Sequence, residues 1–111
     1  MTSQAKANYV NESEFNQLLM DEKLVVADYT ASWCGPCKVV APLMDQLATE
    51  YGDRATVVKI DIDENKDNAK KYGIRSIPAV LVFRDGEMVE SSFGSKPYET
   101  YSNILETQLK L

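Results

Sequence analysis

The residues in this chain best suited to chemistry are two cysteines three positions apart, in the run Trp33-Cys34-Gly35-Pro36-Cys37. Two thiols at this spacing, at the start of a helix, lie on one side of its first turn, where they can close and reopen a disulfide. The free N–H groups and the positive end of the helix dipole lower the pKa of a thiol placed there. The pair is therefore a candidate for thiol–disulfide exchange.

The two cysteines are expected to play different parts. Cys34 is the stronger candidate nucleophile, because it lies between a predicted strand and a predicted helix, at the edge of the sheet where α/β folds place their sites. We expect it to be exposed. Cys37 is one turn further into the helix, so we expect it to be more buried and to act as the resolving thiol. The plainer alternative is a pair of incidental buried cysteines.

Composition argues against several other classes of protein. The 111 residues carry a formal net charge of −5, whereas nucleic acids and anionic membranes favour positive patches, so neither is expected as a partner. Two cysteines and no histidine supply half the ligands of a structural zinc site or a four-thiolate cluster, so no metal is expected unless two chains share one. The polar start, Met1 to Lys6, does not read as a signal peptide, which favours a reducing compartment such as the cytosol.

The chain length suits a single domain over residues 1–111, with residues 1–8 as a loose tail. Hydrophobic periodicity predicts helices beginning near Asn11 and over 34–51, 65–72 and 97–109, and strands over 24–30, 55–62, 79–84 and 87–93. The apolar stripe of the second helix continues past Pro42, which indicates a kink and not an end.

Element order predicts the architecture. The strand over 24–30 is almost wholly apolar, as is typical of a central parallel strand covered on both faces. Asp85-Gly86 separates the last two strands and predicts a hairpin with a type I′ turn. The order βαβ, helix, antiparallel hairpin, helix predicts an α/β fold, a mixed sheet with helices on both faces.

Among the charged residues on predicted strands, Asp28 and Lys59 could bear on the chemistry of the cysteines. Alternation places Asp28 on one side of its strand with Val26 and Thr30. If that side is covered, desolvation raises the pKa of the carboxyl into a range useful for proton transfer, but alternation alone leaves a buried and an exposed carboxylate equally open. Lys59 alternates with Val57 on its strand. From the residues alone, a solvated lysine is as good an interpretation as a lysine with a role in the site. The acidic run 61–67 is interpreted as a solvated turn and helix start.

The run from Trp33 to Lys38 resembles the active site of the thioredoxin family, and the likeness covers residues 8–110. The element order agrees, and further matches fall in register at Asp28, Pro42, 59–63, 72–75, 77–78 and 83–86. Two positions depart from the common pattern. Thr30 stands where many bacterial thioredoxins have tryptophan, and Ser76 replaces a frequent glycine. The resemblance implies the thioredoxin fold.

The resemblance also implies roles for residues around the cysteines. Asp28 would be buried and exchange a proton with Cys37 through water, and Lys59 would tune the charge of Asp28. The Ile77-Pro78 bond would be cis and face the cysteine pair, with the backbone of Ile77 offered to the substrate chain. Pro78 would form a shallow apolar contact surface for protein substrates together with Trp33, Gly35, Pro36 and Gly94.

The resulting functional expectation is a monomeric thiol–disulfide oxidoreductase that reduces protein disulfides without a bound cofactor. It would be recharged by a thioredoxin reductase using electrons from NADPH or ferredoxin, in the cytoplasm, or in the chloroplast stroma if the chain is a mature plastid form. Two alternatives stay open: a disulfide oxidant or isomerase, and a non-catalytic binding subunit on the same scaffold.

Overall fold

The computed structural model of the protein describes residues 6–111. Strands and helices follow one another along these residues. In chain order they are β1 (Asn8–Tyr9), α1 (Glu12–Asp21), β2 (Leu24–Thr30), α2 (Gly35–Tyr51), β3 (Thr56–Asp61), α3 (Lys66–Lys71), β4 (Ala79–Arg84), β5 (Glu87–Phe93) and α4 (Tyr98–Leu109). Within the described residues, no helix has the length and apolar character needed to cross a membrane.

The strands form one mixed sheet in the order β1-β3-β2-β4-β5. The central strand, β2, is parallel to β3 and antiparallel to β4, while β5 closes the hairpin at one edge. Every residue of β2 is buried, as predicted for a strand covered on both faces. The predicted mixed sheet, with a parallel half and an antiparallel hairpin, is therefore confirmed.

Alternation along β2 divides the interior into two cores. Val26 faces a core completed by residues of α2 and α4, among them Met44 and Leu105. Its neighbour Val25 faces the opposite core, to which α1 contributes Phe15. Because side chains alternate along a strand, Asp28 points to the same side as Val26, the side that α2 covers.

The turn between β4 and β5 has the predicted geometry. Asp85 has φ 51° and Gly86 has φ 82°, and a type I′ turn requires positive φ at both central residues. Glycine reaches this region without a steric cost, and aspartate is one of the few other residues that tolerate it.

Helix α2 runs from Gly35 to Tyr51 with Pro42 inside it. The apolar stripe predicted to continue past this proline is confirmed by burial of Val40, Met44 and Leu47 on one face. Packing of this stripe against the sheet compensates for the stability that is lost because Pro42 cannot donate a backbone hydrogen bond. The helix therefore continues without interruption from its N-cap Cys34 and its first turn, which carries Cys37, to the stripe packed against the sheet.

The prediction of a loose tail over residues 1–8 is wrong for Ala7 and Asn8. Ala7 is buried, and its N–H donates a hydrogen bond of 3.0 Å to Asp45 Oδ1. Asn8 and Tyr9 form β1, which pairs in parallel with β3 at the edge of the sheet. A two-residue strand is too short to show a periodic pattern, and residues 1–5 lie outside the described residues.

Helix α1 begins with a capping box, which gives the first prediction. The Asn11 side chain accepts from the Glu14 N–H at 2.8 Å, and the Glu14 carboxylate accepts from the Asn11 N–H at 2.9 Å. Replacing Asn11 by alanine removes one half of this exchange, so Asn11→Ala should lower the free energy of unfolding by about 1 kcal/mol in urea denaturation. The control is Asn16→Ala, an exposed position inside the same helix, which should not lower stability. Equal losses in the two variants would contradict the role of the cap.

Candidate active site

Cys34 and Cys37 form a disulfide at the junction of β2 and α2, with their Cα atoms 5.4 Å apart. Cys34 is the N-cap of α2, and Gly35 and Pro36 open the helix. Proline suits this place because its missing N–H would have no partner in the first turn. The local sequence therefore fixes both sulfurs at the positive end of a 17-residue helix.

One backbone hydrogen bond is directed at the sulfur of Cys34. The N–H of Cys37 donates to Cys34 Sγ at 3.2 Å. When the disulfide is open, a thiolate at this sulfur keeps the same donor and the helix dipole, and both favour the charged form. The helix N-terminus thus presents one backbone donor to Cys34 Sγ, and no corresponding donor is directed at Cys37 Sγ among the hydrogen bonds of residues 6–111.

Both cysteines are buried in the disulfide form, Cys34 at 4% exposure and Cys37 at 3%. The expectation that Cys34 is exposed is wrong for this state, and the expected contrast in burial between the two is absent. The cause is packing from three sides, since Ala31, Ile62 and Ile77 lie against the disulfide. The exposed residues of the motif are Trp33, Gly35 and Pro36.

The loop before β4 lies against the disulfide. The Ile77-Pro78 peptide bond is cis, as the resemblance implies, and the Ile77 carbonyl oxygen lies 3.9 Å from Cys34 Sγ. The N–H of Gly94 donates a hydrogen bond of 2.8 Å to the Pro78 carbonyl. The structure therefore brings Ile77, Pro78 and Gly94 together beside Cys34, but Pro78 is buried there while Ile77 and Gly94 are half-buried. The expected contact surface thus presents little of the Pro78 side chain.

The Trp33 side chain is 66% exposed, yet it is held in place. Its indole Nε1–H donates to Asp63 Oδ2 at 2.8 Å. Sequence reasoning assigned Asp63 to a solvated acidic turn and missed this contact, because the two residues are 30 positions apart. No spacing signal in the sequence could have linked them. Asp63 orients an apolar ring beside the disulfide.

Asp28 is the buried carboxylate of the site. It is 1% exposed, and its Oδ1 has no hydrogen-bond partner. Burial raises the pKa of Asp28 from its ordinary value of 3.8 to about 7, against a smaller lowering by the charge of Lys59. A carboxyl group with such a pKa can take up or release a proton near neutral pH.

Lys59 lies beside Asp28, as the pairing of their two strands requires. The two residues are register partners across β2 and β3, so their side chains are on the same face of the sheet. The Lys59 Nζ lies 4.8 Å from the centre of the Tyr9 ring. Sequence reasoning missed Tyr9, because β1 has only two residues and is too short to show a periodic pattern.

Metal coordination finds no support in residues 6–111. No group of three or more Cys, Asp or Glu side chains in this part of the chain is placed to hold an ion.

A disulfide at the N-terminus of a helix, next to the cis Ile77-Pro78 loop and on a mixed sheet with a buried carboxylate, defines the class of thiol–disulfide oxidoreductases. Comparison with known proteins gives the family. The Thioredoxin family profile matches residues 6–107. The chain is 50% identical over 88 residues to thioredoxin of Bacillus subtilis, covering 79% of this chain and 85% of that protein. It belongs to the thioredoxin family, whose members reduce protein disulfides.

Further relatives agree with this assignment. The chain is 42% identical over 101 residues to thioredoxin 1 of Synechococcus elongatus, covering 90% of this chain and 94% of the relative. Among solved structures, a mutant thioredoxin from Halobacterium salinarum superposes with a TM-score of 0.87 at 33% identity, covering 96% of this chain and 94% of the other. The thioredoxin fold and the protein-disulfide reductase activity are thereby established.

The buried carboxyl makes stability depend on pH. Above pH 3.8 the unfolded chain ionises Asp28, while the folded chain keeps it protonated up to about pH 7, so the folded state loses stability across that interval. Asp28→Asn removes this loss. The stability of the variant relative to wild type should rise by about 4 kcal/mol between roughly pH 4 and pH 8, measured by urea denaturation.

The matched control for this measurement is Glu87→Gln, which neutralises an exposed carboxylate at the start of β5. Its stability relative to wild type should stay nearly level over the same pH interval. A level difference for Asp28→Asn as well would show that burial does not raise the pKa of Asp28.

Proposed function

We propose that Cys34 attacks the disulfides of client proteins and that Cys37 resolves the resulting mixed disulfide. The observation that carries the proposal is the N-cap position of Cys34, whose sulfur receives the Cys37 N–H at 3.2 Å. A thiolate at Cys34 is stabilised by that bond, whereas Cys37 lies inside the first turn of α2 and lacks such a position. The two thiols therefore differ in reactivity although they differ little in burial.

The exchange proceeds in two balanced steps. In the first, the Cys34 thiolate forms a bond to one client sulfur, the client S–S bond breaks, and the departing client thiolate takes up a proton. In the second, Cys37 loses its proton and attacks Cys34 Sγ, which releases the other client sulfur as a thiolate. Two electrons pass to the client, and the Cys34–Cys37 disulfide remains.

Asp28 is proposed to receive the proton that Cys37 loses in the second step. It lies on the face of β2 that α2 covers, the pKa of its carboxyl is about 7, and its Oδ1 has no hydrogen-bond partner. A carboxyl group with a pKa near neutral pH takes up and releases a proton readily there. A water molecule is proposed to carry the proton between the two groups. Lys59 is proposed to limit the rise in the Asp28 pKa, so that the group remains able to ionise.

The surface beside Cys34 is proposed to bind the client chain. It combines an exposed aromatic ring with backbone groups at the disulfide, and exposed aromatic residues are frequent anchors of protein contacts. The carbonyl of Ile77, 3.9 Å from Cys34 Sγ, is placed to meet an extended client segment by backbone hydrogen bonding. The residues proposed for this surface are Trp33, Gly35, Pro36, Ile77, Pro78 and Gly94.

The oxidised protein is proposed to be recharged by a thioredoxin reductase, with NADPH or ferredoxin as the source of its two electrons. Members of the family work with such a reductase and with disulfide-containing clients. Relatives come from bacteria and cyanobacteria and include an M-type chloroplastic thioredoxin of Chlamydomonas reinhardtii. The cytoplasm, or the stroma of a plastid, is the compartment proposed for this monomer.

Reduction of insulin disulfides tests the assignment of the two cysteines. With dithiothreitol as electron source, Cys34→Ser should reduce insulin no faster than the uncatalysed background, because the nucleophile is lost. Cys37→Ser should also lose turnover, but it keeps Cys34. After it has been reduced and separated from dithiothreitol, it should accumulate a mixed disulfide with insulin, detected by mass spectrometry. Each variant is the control for the other, because both abolish the internal disulfide and only one retains the attacking sulfur.

Two results would contradict the proposal. Insulin reduction by Cys34→Ser at the wild-type rate would favour a non-catalytic binding subunit, and trapping by Cys34→Ser instead of Cys37→Ser would reverse the assignment. A reduction potential near that of strong oxidants, about −120 mV, instead of near that of dithiol reductants, about −270 mV, would favour an oxidant.

A further inference from the structure

Three side chains form a row across the sheet at the level of the buried carboxylate. Tyr9 on β1 is the register partner of Lys59 on β3, and Lys59 is the register partner of Asp28 on β2. Register partners in parallel strands present their side chains on the same face. The row therefore leads from the exposed edge of the sheet, where Tyr9 is 61% exposed, to the interior.

The ammonium group in the middle of this row is directed to the aromatic ring. Lys59 Nζ lies 4.8 Å from the centre of the Tyr9 ring, within the range of a cation–π contact. Within residues 6–111 the ion pair at contact distance is Arg54 with Asp53, and Lys59 forms none with Asp28. Because β3 lies between β1 and β2, the Tyr9 ring and the Asp28 carboxylate flank Lys59 from opposite sides.

The position of this ammonium matters because Coulomb attraction falls with separation. The charge of Lys59 lowers the pKa of Asp28 and works against the larger effect of burial. An ammonium free to approach the carboxylate would stabilise its charged form further. A ring that holds the ammonium at the edge of the sheet limits this stabilisation.

We propose that Tyr9 is a positioning residue whose ring holds the Lys59 ammonium at the β1 edge and so keeps the buried Asp28 carboxyl free of an ion pair. The consequence for catalysis rests on the proposed role of Asp28 as proton partner of Cys37. The positioning itself does not depend on that role, since it concerns only the three residues in the row.

Two tyrosines near the row interact with the charge of Asp28 but do not change charge near neutral pH. Tyr101, on α4, feels the charge of Asp28, and Tyr9 feels the charges of Asp28 and Asp61. Burial is the main cause that raises the pKa of each of these tyrosines above 10.0. In the oxidised protein the cysteines are disulfide-bonded and do not titrate. Titration of the oxidised protein therefore avoids overlap with the cysteines and with these tyrosines.

The test follows the ¹³C chemical shift of the Asp28 carboxyl carbon with pH in the oxidised protein. Tyr9→Leu removes the aromatic face, and the midpoint should fall by about half a pH unit, roughly a threefold change in the acid dissociation constant. Tyr9→Phe keeps the face without the hydroxyl and should titrate as wild type does. An unchanged or higher midpoint in Tyr9→Leu would overturn the proposal.

A double variant separates positioning from a change in burial. Lys59→Met removes the ammonium and should raise the midpoint, and Tyr9→Leu added to Lys59→Met should then have no further effect. If Tyr9→Leu still lowers the midpoint without Lys59, the ring acts by covering Asp28 and the proposal is wrong. If the midpoint shifts as expected while the pH profile of insulin reduction does not move, the positioning stands and the catalytic role of Asp28 fails.

Discussion

The site depends on one energetic constraint, the burial of a carboxyl group that lacks a hydrogen-bond partner at one of its two oxygens. Asp28 is 1% exposed, its Oδ1 accepts no hydrogen bond, and its pKa rises to about 7. Its place in a central strand covered on both faces removes the carboxyl from bulk solvent, and Lys59 offsets only part of the cost. The fold therefore carries a destabilising group on the face of β2 that α2 covers, where we propose that it exchanges a proton with Cys37.

The remainder of the site follows from the junction of β2 and α2. The strand ends at Thr30, a short loop follows, and Cys34 caps the helix, so the sulfur lies where the backbone N–H groups are free. The long apolar stripe of α2 keeps this turn against the sheet despite Pro42. The loop at Ile77-Pro78 covers the sulfur and, through the Pro78–Gly94 hydrogen bond, fixes the surface next to it. The sheet and α2 thus fix the position of the cysteines, and the segments beside them are proposed to contact the client protein.

The sequence predicted the features that arise from local patterns or from family resemblance. Apolar continuity identified β2, the Asp85-Gly86 pair identified the hairpin, and the cysteine spacing identified the disulfide. The missed features depend on long-range contacts: Tyr9 reaches Lys59, and Trp33 reaches Asp63, only after the sheet has formed. Burial of Cys34 was missed for the same reason, because the residues that cover it come from distant segments.

The pH dependence of insulin reduction by the reduced protein tests the central claim, that the buried Asp28 carboxyl exchanges a proton with Cys37. Rates are compared for wild type and Asp28→Asn, whose side chain has the same shape and cannot ionise. Wild type should show an inflection near pH 7, from the pKa of Asp28, and this inflection should be lost in the variant, with slower reduction at neutral pH. Identical pH profiles for the two proteins would contradict the account.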